Sequence, residues 1–258
     1  MIDSIDTLLL DLDNTLMFFN EIEFMKKYTE LFSKYFDVKT LNYEFSIILR
    51  DSMRHTAKND GSESNFSRLL KNLLPLLSLT KDEFLDRSIK FYDNEFQSLG
   101  DLIFSPEDII NKIFTICKER NFNVVIATNP VFSDYATITR IKWANLHHFK
   151  DSISLITTLD NSSYCKPNPS YFKEILLKVQ SKYNPSKALM VGNDFIRDGS
   201  ASLVGIPTYL INRVFTDETK GSQYIKDIQR ENIDVIDQNK IIIKKKGSLE
   251  ELSIIFDE

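Results

Sequence analysis

Five short apolar runs punctuate the chain: "TLLLD" at 7–11, "NVVIAT" at 123–128, "ISLITT" at 153–158, "ALMVGN" at 188–193 and "PTYLI" at 207–211. They are rich in Val, Ile and Leu and bounded by turn-forming residues, the pattern of strands buried on both faces of a parallel sheet. Between them the period lengthens to that of helices. Ser105-Pro106-Glu107, Asn129-Pro130 and Asn168-Pro169 each offer a capping residue ahead of a first-turn proline. This alternation predicts an α/β fold, a doubly wound, Rossmann-like parallel sheet. At the C-terminal end, "NKIIIKKKGSLEELSIIFDE" reads as a last strand, a turn at Gly247 and a closing helix, with Lys244, Lys245 and Lys246 at a solvated strand end.

One interval breaks the rhythm. About a hundred residues separate the first run from the second, where a crossover helix needs about a dozen. Inside it Phe24, Tyr28, Leu31, Phe32 and Tyr35 recur at helical spacing, and "FSRLLKNLLPLL" and "DEFLDRSIKFYDNEF" carry the same period. Pro75 is expected to kink or end its helix. Residues 17–104 therefore read as an inserted, mostly helical domain, joined near Met17 and Ser105 to a core of 1–16 and 105–258. The aromatic stripe has helix–helix packing as its ordinary explanation and a ligand pocket as the other. Arg50, Arg54, His55 and Lys58 form a small basic cluster whose ordinary place is a solvated helix face.

Composition narrows the function. With 32 basic and 37 acidic residues among 258, the net charge is -5. Neither nucleic acid nor an anionic membrane is then expected as a partner, and an anionic small substrate needs a local positive site. No run approaches the ~18 apolar residues of a membrane helix. Asp3 and Asp6 stand where a signal peptide is basic, so the expected location is cytoplasmic. Cys117 and Cys165 are too few for a disulfide framework and lack metal-ligand spacing. His55, His147 and His148 do not make H-E-x-x-H, and no glycine falls in a P-loop, dinucleotide-binding or nucleophile-elbow pattern. Zinc, P-loop, dinucleotide and serine-hydrolase chemistry lack sequence support.

What remains is a set of polar residues at strand ends, where ligands of open parallel sheets bind. The first run delivers Asp11 and Asp13, the second Thr128 and Asn129, and the fourth Asn193 and Asp194, with Asp198 four residues on. Lys166 follows the third, in "YCKPNP". Adjacent buried carboxylates cost stability unless a cation or a chemical task compensates. Each residue has an ordinary explanation by itself: a turn for Asp11 and Asp13, a cap for Thr128-Asn129, a surface lysine for Lys166, helix-start acids for Asp194 and Asp198. Their ordered recurrence at strand ends argues for one shared rim.

In that order, D-x-D-x-T at Asp11, Asp13 and Thr15, the strand ending in Thr128, Lys166, and Asp194 with Asp198 resemble the four motifs of the haloacid dehalogenase superfamily. "ATNPVFSDYATITRIKWANL" and "YCKPNP" look like a bacterial subgroup of hydrolases, and the insertion is similar to the family's helical cap. The resemblance, to phosphatases of the phosphoglycolate type, implies a Mg²⁺-dependent phosphohydrolase acting on a small phosphorylated metabolite, with the cap closing over the leaving group. It implies that Asp11 is the nucleophile that forms an aspartyl-phosphate and Asp13 the general acid and base. Leu12, Asp13, Thr128, Asn129 and Lys166 are implied at the phosphate. Asp11, the backbone carbonyl of Asp13, and Asp194 are implied at the metal. Asn193 and Asp198 support them, Asp198 by orienting Lys166 or a metal-bound water, and Thr15 stabilises the turn.

One departure bears on the metal. Many relatives have Gly-Asp after the fourth strand, where this chain has Gly192-Asn193-Asp194. Aligning on D-x-x-x-D selects Asp194 and aligning on the glycine selects Asn193; a carboxylate binds a hard dication better than an amide, which favours Asp194. An oxygen-ligated Mg²⁺ would let Asp11, Asp13 and Asp194 share one spot. Residues two apart in a strand share a face, so Asp11 and Asp13 are expected on the same side. Dehalogenation is disfavoured, because the family's dehalogenases lack the acidic group that Asp13 provides. A phosphomutase and a non-catalytic phosphometabolite-binding protein are the alternatives, and phosphoglycolate, sugar phosphates and nucleotides all stand as substrates.

Overall fold

The structure, a computed structural model, describes residues 4–36, 42–211 and 237–257. Its strands are β1 (Thr7–Leu10), β2 (Asn123–Ile126), β3 (Ile153–Ile156), β4 (Ala188–Gly192), β5 (Thr208–Ile211) and β6 (Lys245–Gly247). Between β1 and β2 lie helices α1 (Glu21–Tyr35), α2 (Asn42–Ala57), α3 (Asn65–Leu77) and α4 (Lys81–Asp93), followed by a 3-10 turn over Glu95–Leu102. Helices α5 (Glu107–Glu119), α6 (Asp134–Trp143), α7 (Pro169–Val179) and α8 (Leu249–Asp257) complete the set. Among the described residues no helix is long and apolar enough to cross a membrane.

The strands form one parallel sheet in the order β3-β2-β1-β4-β5-β6. Because side chains alternate across a strand, the apolar run of β1 feeds two layers. Leu8 and Leu10 pack with Ile110 and Phe114 of α5 and Leu252 and Phe256 of α8, whereas Leu9 packs with Tyr171, Phe172 and Ile175 of α7. Each such side chain contributes about 1.5–3 kcal/mol by leaving water. The order reverses between β1 and β4, and a crevice opens beyond the carboxyl ends of strands at such a point. The two strands that lead into Asp11 and Asn193 thus flank the switch.

Three local expectations are corrected. Ser105 does not cap α5; Pro106 holds that position without a side-chain bond, and Ser105 Oγ donates to the Ala144 carbonyl at 3.1 Å. Asn129-Pro130 does not start α6, which is capped by Ser133; Asn129 Oδ1 instead accepts the Lys166 backbone N–H at 3.1 Å. The last strand covers Lys245–Gly247, with Lys245 and Lys246 exposed at its solvated end as expected, but Gly247 lies within it rather than in a turn. An edge strand tolerates exposed lysines, and a Cβ on Gly247 would meet the Tyr209 hydroxyl at 2.1 Å. Asn168 does cap α7, accepting the Ser170 N–H at 2.9 Å.

The helices between β1 and β2 pack largely through aromatic rings. Tyr28 meets Phe32, Phe91 and Phe96 at centroid distances of 5.9, 6.1 and 5.9 Å. Pro75 stands inside α3, which ends two residues later with Ser78 in the left-handed region. The chain enters and leaves this segment side by side: Phe18 and Phe104 exchange both backbone hydrogen bonds, at 2.7 and 2.9 Å. The segment also touches the layer over the sheet, Phe24 against Trp143 at 6.3 Å and Tyr28 against Phe132 at 5.6 Å. Arg54, His55 and Lys58 are exposed, as a solvated helix face requires, and the Arg50 side chain lies outside the described residues.

Candidate active site

Beyond Leu10 the backbone keeps one more sheet bond, Asp11 N–H to the Val191 carbonyl at 2.9 Å, and then turns, with Thr15, Leu16 and Met17 all donating to the Leu12 carbonyl. Asp13 therefore lies past the strand, and the two-residue strand period does not align it with Asp11; the turn does. Both line a cavity of about 240 Å³ with Asn129, Lys166, Asn193, Asp194 and Asp198. Leu12 and Thr128 are buried and are not among the residues that line it.

Lys166 anchors the site. Its Nζ donates to Asp11 Oδ1 at 2.7 Å and to Asp198 Oδ1 at 2.6 Å, with all three side chains buried. Burial works against the ammonium charge, but Asp11 and Asp198 outweigh it and hold Lys166 well above the ordinary lysine range. Burial pushes Asp11 up to about 7; Lys166 opposes the shift and Asp198 and Asp13 add to it. Burial likewise raises Asp198. Asp198 also accepts the Asp194 N–H at 2.9 Å and packs on Gly192, where a Cβ would sit 2.1 Å from Asp198 Oδ2. Only glycine leaves room for that approach.

Around Asp11 the Thr15 hydroxyl is shared between Asp11 Oδ2 at 3.1 Å and Asn193 Oδ1 at 3.2 Å. This sets the Asn193 amide oxygen beside the carboxylate of Asp11. Asp194, one residue on, turns its carboxylate toward the N–H groups of Ile196 and Arg197, at 2.8 and 2.7 Å. Thr128 Oγ1 is buried without a hydrogen-bond partner among the described residues, while the Thr128 carbonyl accepts from Thr157 and Tyr171.

Three charged residues on the wall were not anticipated: Arg140, Arg197 and Glu21. Arg140 of α6 is 1% exposed and binds both carboxylate oxygens of Asp13 through Nη2. Its guanidinium lies 4.7 Å from the centre of the Phe132 ring, and Nη1 has no partner among the described residues. A signal was available: Arg140 follows buried Ala136 and Thr137 by four and three positions, on one face of α6, and a charge on a buried stripe calls for a partner. Glu21 is raised by burial and by Asp13, and its Oε1 accepts from Asn14 at 2.9 Å. Both cysteines are buried, and burial pushes each thiol up to about 12, out of nucleophilic range.

The donor set suits a hard dication. Among the described residues no three His, Cys, Asp or Glu side chains gather closely enough to hold a metal alone. Mg²⁺ needs only one or two carboxylates, other oxygens and retained waters. Asp11, Asn193 and Asp194 supply such oxygens on one wall. The same wall carries five acids (Asp11, Asp13, Glu21, Asp194, Asp198) against three cations (Arg140, Lys166, Arg197), an excess of acidic groups whose ionised forms a bound cation would favour.

No curated protein matches the chain. Among solved structures, a HAD phosphatase from Thermococcus onnurineus is 17% identical over 97% of each chain, with a TM-score of 0.53. L-2-haloacid dehalogenase from Xanthobacter autotrophicus is 12% identical over 98% of each chain, with a TM-score of 0.54. A HAD hydrolase from Bacillus subtilis bound to magnesium is 17% identical over 98% of this chain and 99% of its own, with a TM-score of 0.52. At these identities the likeness is one of fold. The model of the haloacid dehalogenase-like hydrolases matches residues 5–201, and the chain belongs to that family of hydrolases.

Proposed function

We propose that this hydrolase is a Mg²⁺-dependent phosphatase of small phosphomonoesters that works through an aspartyl-phosphate on Asp11. The observation that carries the reading is Lys166 held between Asp11 and Asp198 on a cavity wall that Asp13 shares. Asp11, ionised beside the ammonium, attacks phosphorus in line. Lys166 balances charge on the phosphoryl oxygens, and Thr128 Oγ1, which has no partner of its own, donates to one of them. Asp13 protonates the leaving alkoxide and then takes a proton from the water that hydrolyses the acyl phosphate. Its carboxylate is held by Arg140, so Asp13 must leave that pair to carry the proton. Asp11, the Asp13 backbone carbonyl and Asp194 with Asn193 would hold Mg²⁺, which neutralises the phosphoryl group when bound.

Residues 17–104 act in this reading as a cap, hinged at the paired Phe18 and Phe104, that closes over the leaving group and excludes water. Asp13 on the wall favours ester over haloacid chemistry, because an alkoxide must be protonated and a halide need not be. The test is phosphate release from a panel of phosphomonoesters, with Mg²⁺ and with chelator, in the wild type and Asp11→Asn. Metal-dependent turnover lost in a folded Asp11→Asn protein supports the mechanism. Turnover that survives the substitution overturns it.

A further inference from the structure

A second cavity, of about 130 Å³, lies between α1, α3, α4 and the loop after β2. Tyr28 and Phe32, Leu69 and Leu73, and Phe84 and Ile89 line it, and it shares two walls, Met53 and Val131, with the catalytic cavity. Packed interiors hold few voids larger than a water molecule, and an apolar cavity of about 150 Å³ admits a benzene ring. Ser88 lines the space with its Oγ buried and without a hydrogen-bond partner among the described residues. The Tyr28 and Tyr92 hydroxyls are engaged with each other at 3.3 Å.

The charges assign an orientation. Asp134 and Asp160 line the second cavity and would repel an anion there, while Lys166, Arg140 and Arg197 line the first. Between them the catalytic cavity is walled by Phe24, Met25, Met53 and Phe132. The hydroxyls of a sugar would find few partners along that wall, and unpaired polar groups oppose binding.

We infer that the second cavity receives the tail of the substrate, which is then a phosphomonoester of an alcohol bearing an alkyl or aromatic group of about six carbons. The phosphate sits at Asp11 and the tail passes Met53 and Val131 into the space among α1, α3 and α4. This rests on the phosphatase reading above.

The experiment uses the full chain with Mg²⁺ and a series of alkyl phosphates from ethyl to decyl. Calorimetry with the corresponding alkylphosphonates, which are not hydrolysed, runs alongside. The value of kcat/KM is expected to rise about fourfold per methylene and to level off near six carbons. Ser88→Phe, which fills the cavity, should lower the hexyl-to-ethyl ratio at least tenfold, and Ser88→Ala should preserve it. Leu69→Phe replaces Ser88→Phe if the latter fails to melt cooperatively. Ethyl phosphate turned over with no dependence on chain length overturns the inference and leaves the phosphatase reading intact. Alkylphosphonates that bind more tightly with each methylene, in a protein that hydrolyses none of the esters, support the tail site and sink the phosphatase reading instead. A series flat in both binding and turnover overturns the inference.

Discussion

Lys166 and Arg140 are both at most 2% exposed, and both pair with a carboxylate just beyond β1. Their surroundings differ. Lys166 touches two acids, Asp11 and Asp198, that are themselves almost wholly buried. Arg140 touches one, Asp13, whose side chain is 30% exposed to the cavity. A sealed cluster must be answered in place, since removal of one partner strands the other charge in a medium that cannot solvate it. A carboxylate at an open wall can turn to water or substrate, and its pair is worth correspondingly less. The first arrangement suits groups that must hold still during bond-making, the second a group that has to gain and lose a proton.

The largest effect that would test this contrast is in the chemistry: Asp11→Asn is expected to lower phosphate release by at least about a thousandfold, since a missing nucleophile disables the whole unit. Next is stability. Lys166→Met should cost about 3–5 kcal/mol in urea unfolding, with Asp11 and Asp198 left unanswered. Arg140→Met should cost about 1 kcal/mol, because Asp13 reaches solvent. Equal losses would erase the distinction.

Asp13→Asn should slow hydrolysis of an alkyl phosphate about a hundredfold. With a nitrophenyl ester, whose leaving group needs no proton, the loss should be much smaller; the same loss on both would remove Asp13 from the role of acid. Gly192→Ala forces Asp198 away from Lys166, and an overpacked contact of this kind costs about 1–3 kcal/mol, read from the urea midpoint. The smallest effect concerns Cys117 and Cys165. With thiols raised by burial from the ordinary 9.0 to about 12, the native protein should take up iodoacetamide far more slowly than the unfolded chain. Their contribution to stability is present below pH 9 and is lost as the pH climbs toward 12, because the unfolded chain ionises first.

Much of this was readable in one dimension. The five runs that became β1 to β5 are dense in apolar residues, and burial on both faces needs no more than that. The start of α7 was equally plain, because Asn168 bonds a residue two positions away. The errors share a cause. Ser105 and Asn129 have the chemistry of caps, but each spends its side chain on a distant segment, the Ala144 carbonyl and the Lys166 N–H. Gly247 likewise stays in the last strand rather than turning, because it pairs with Ile211 of β5.

The site divides in the same way. Asp11, Asp13, Asn129, Lys166, Asn193, Asp194 and Asp198 stood out at the ends of strands and line one cavity. Arg140 did not stand out, since its partner is 127 residues away. The aromatic stripe of α1 packs against neighbouring helices and also borders empty space: Phe24 lines the first cavity while Tyr28 and Phe32 line the second.

By itself the sequence determined the strand set, the helical character of residues 17–104 and the list of residues able to carry chemistry, because these follow from local periodicity and residue type. Only the tertiary structure decided which charges meet and what space lies between them. Pairing and shape depend on distances across the fold, such as Lys166 to Asp198 and Arg140 to Asp13, which no local pattern encodes.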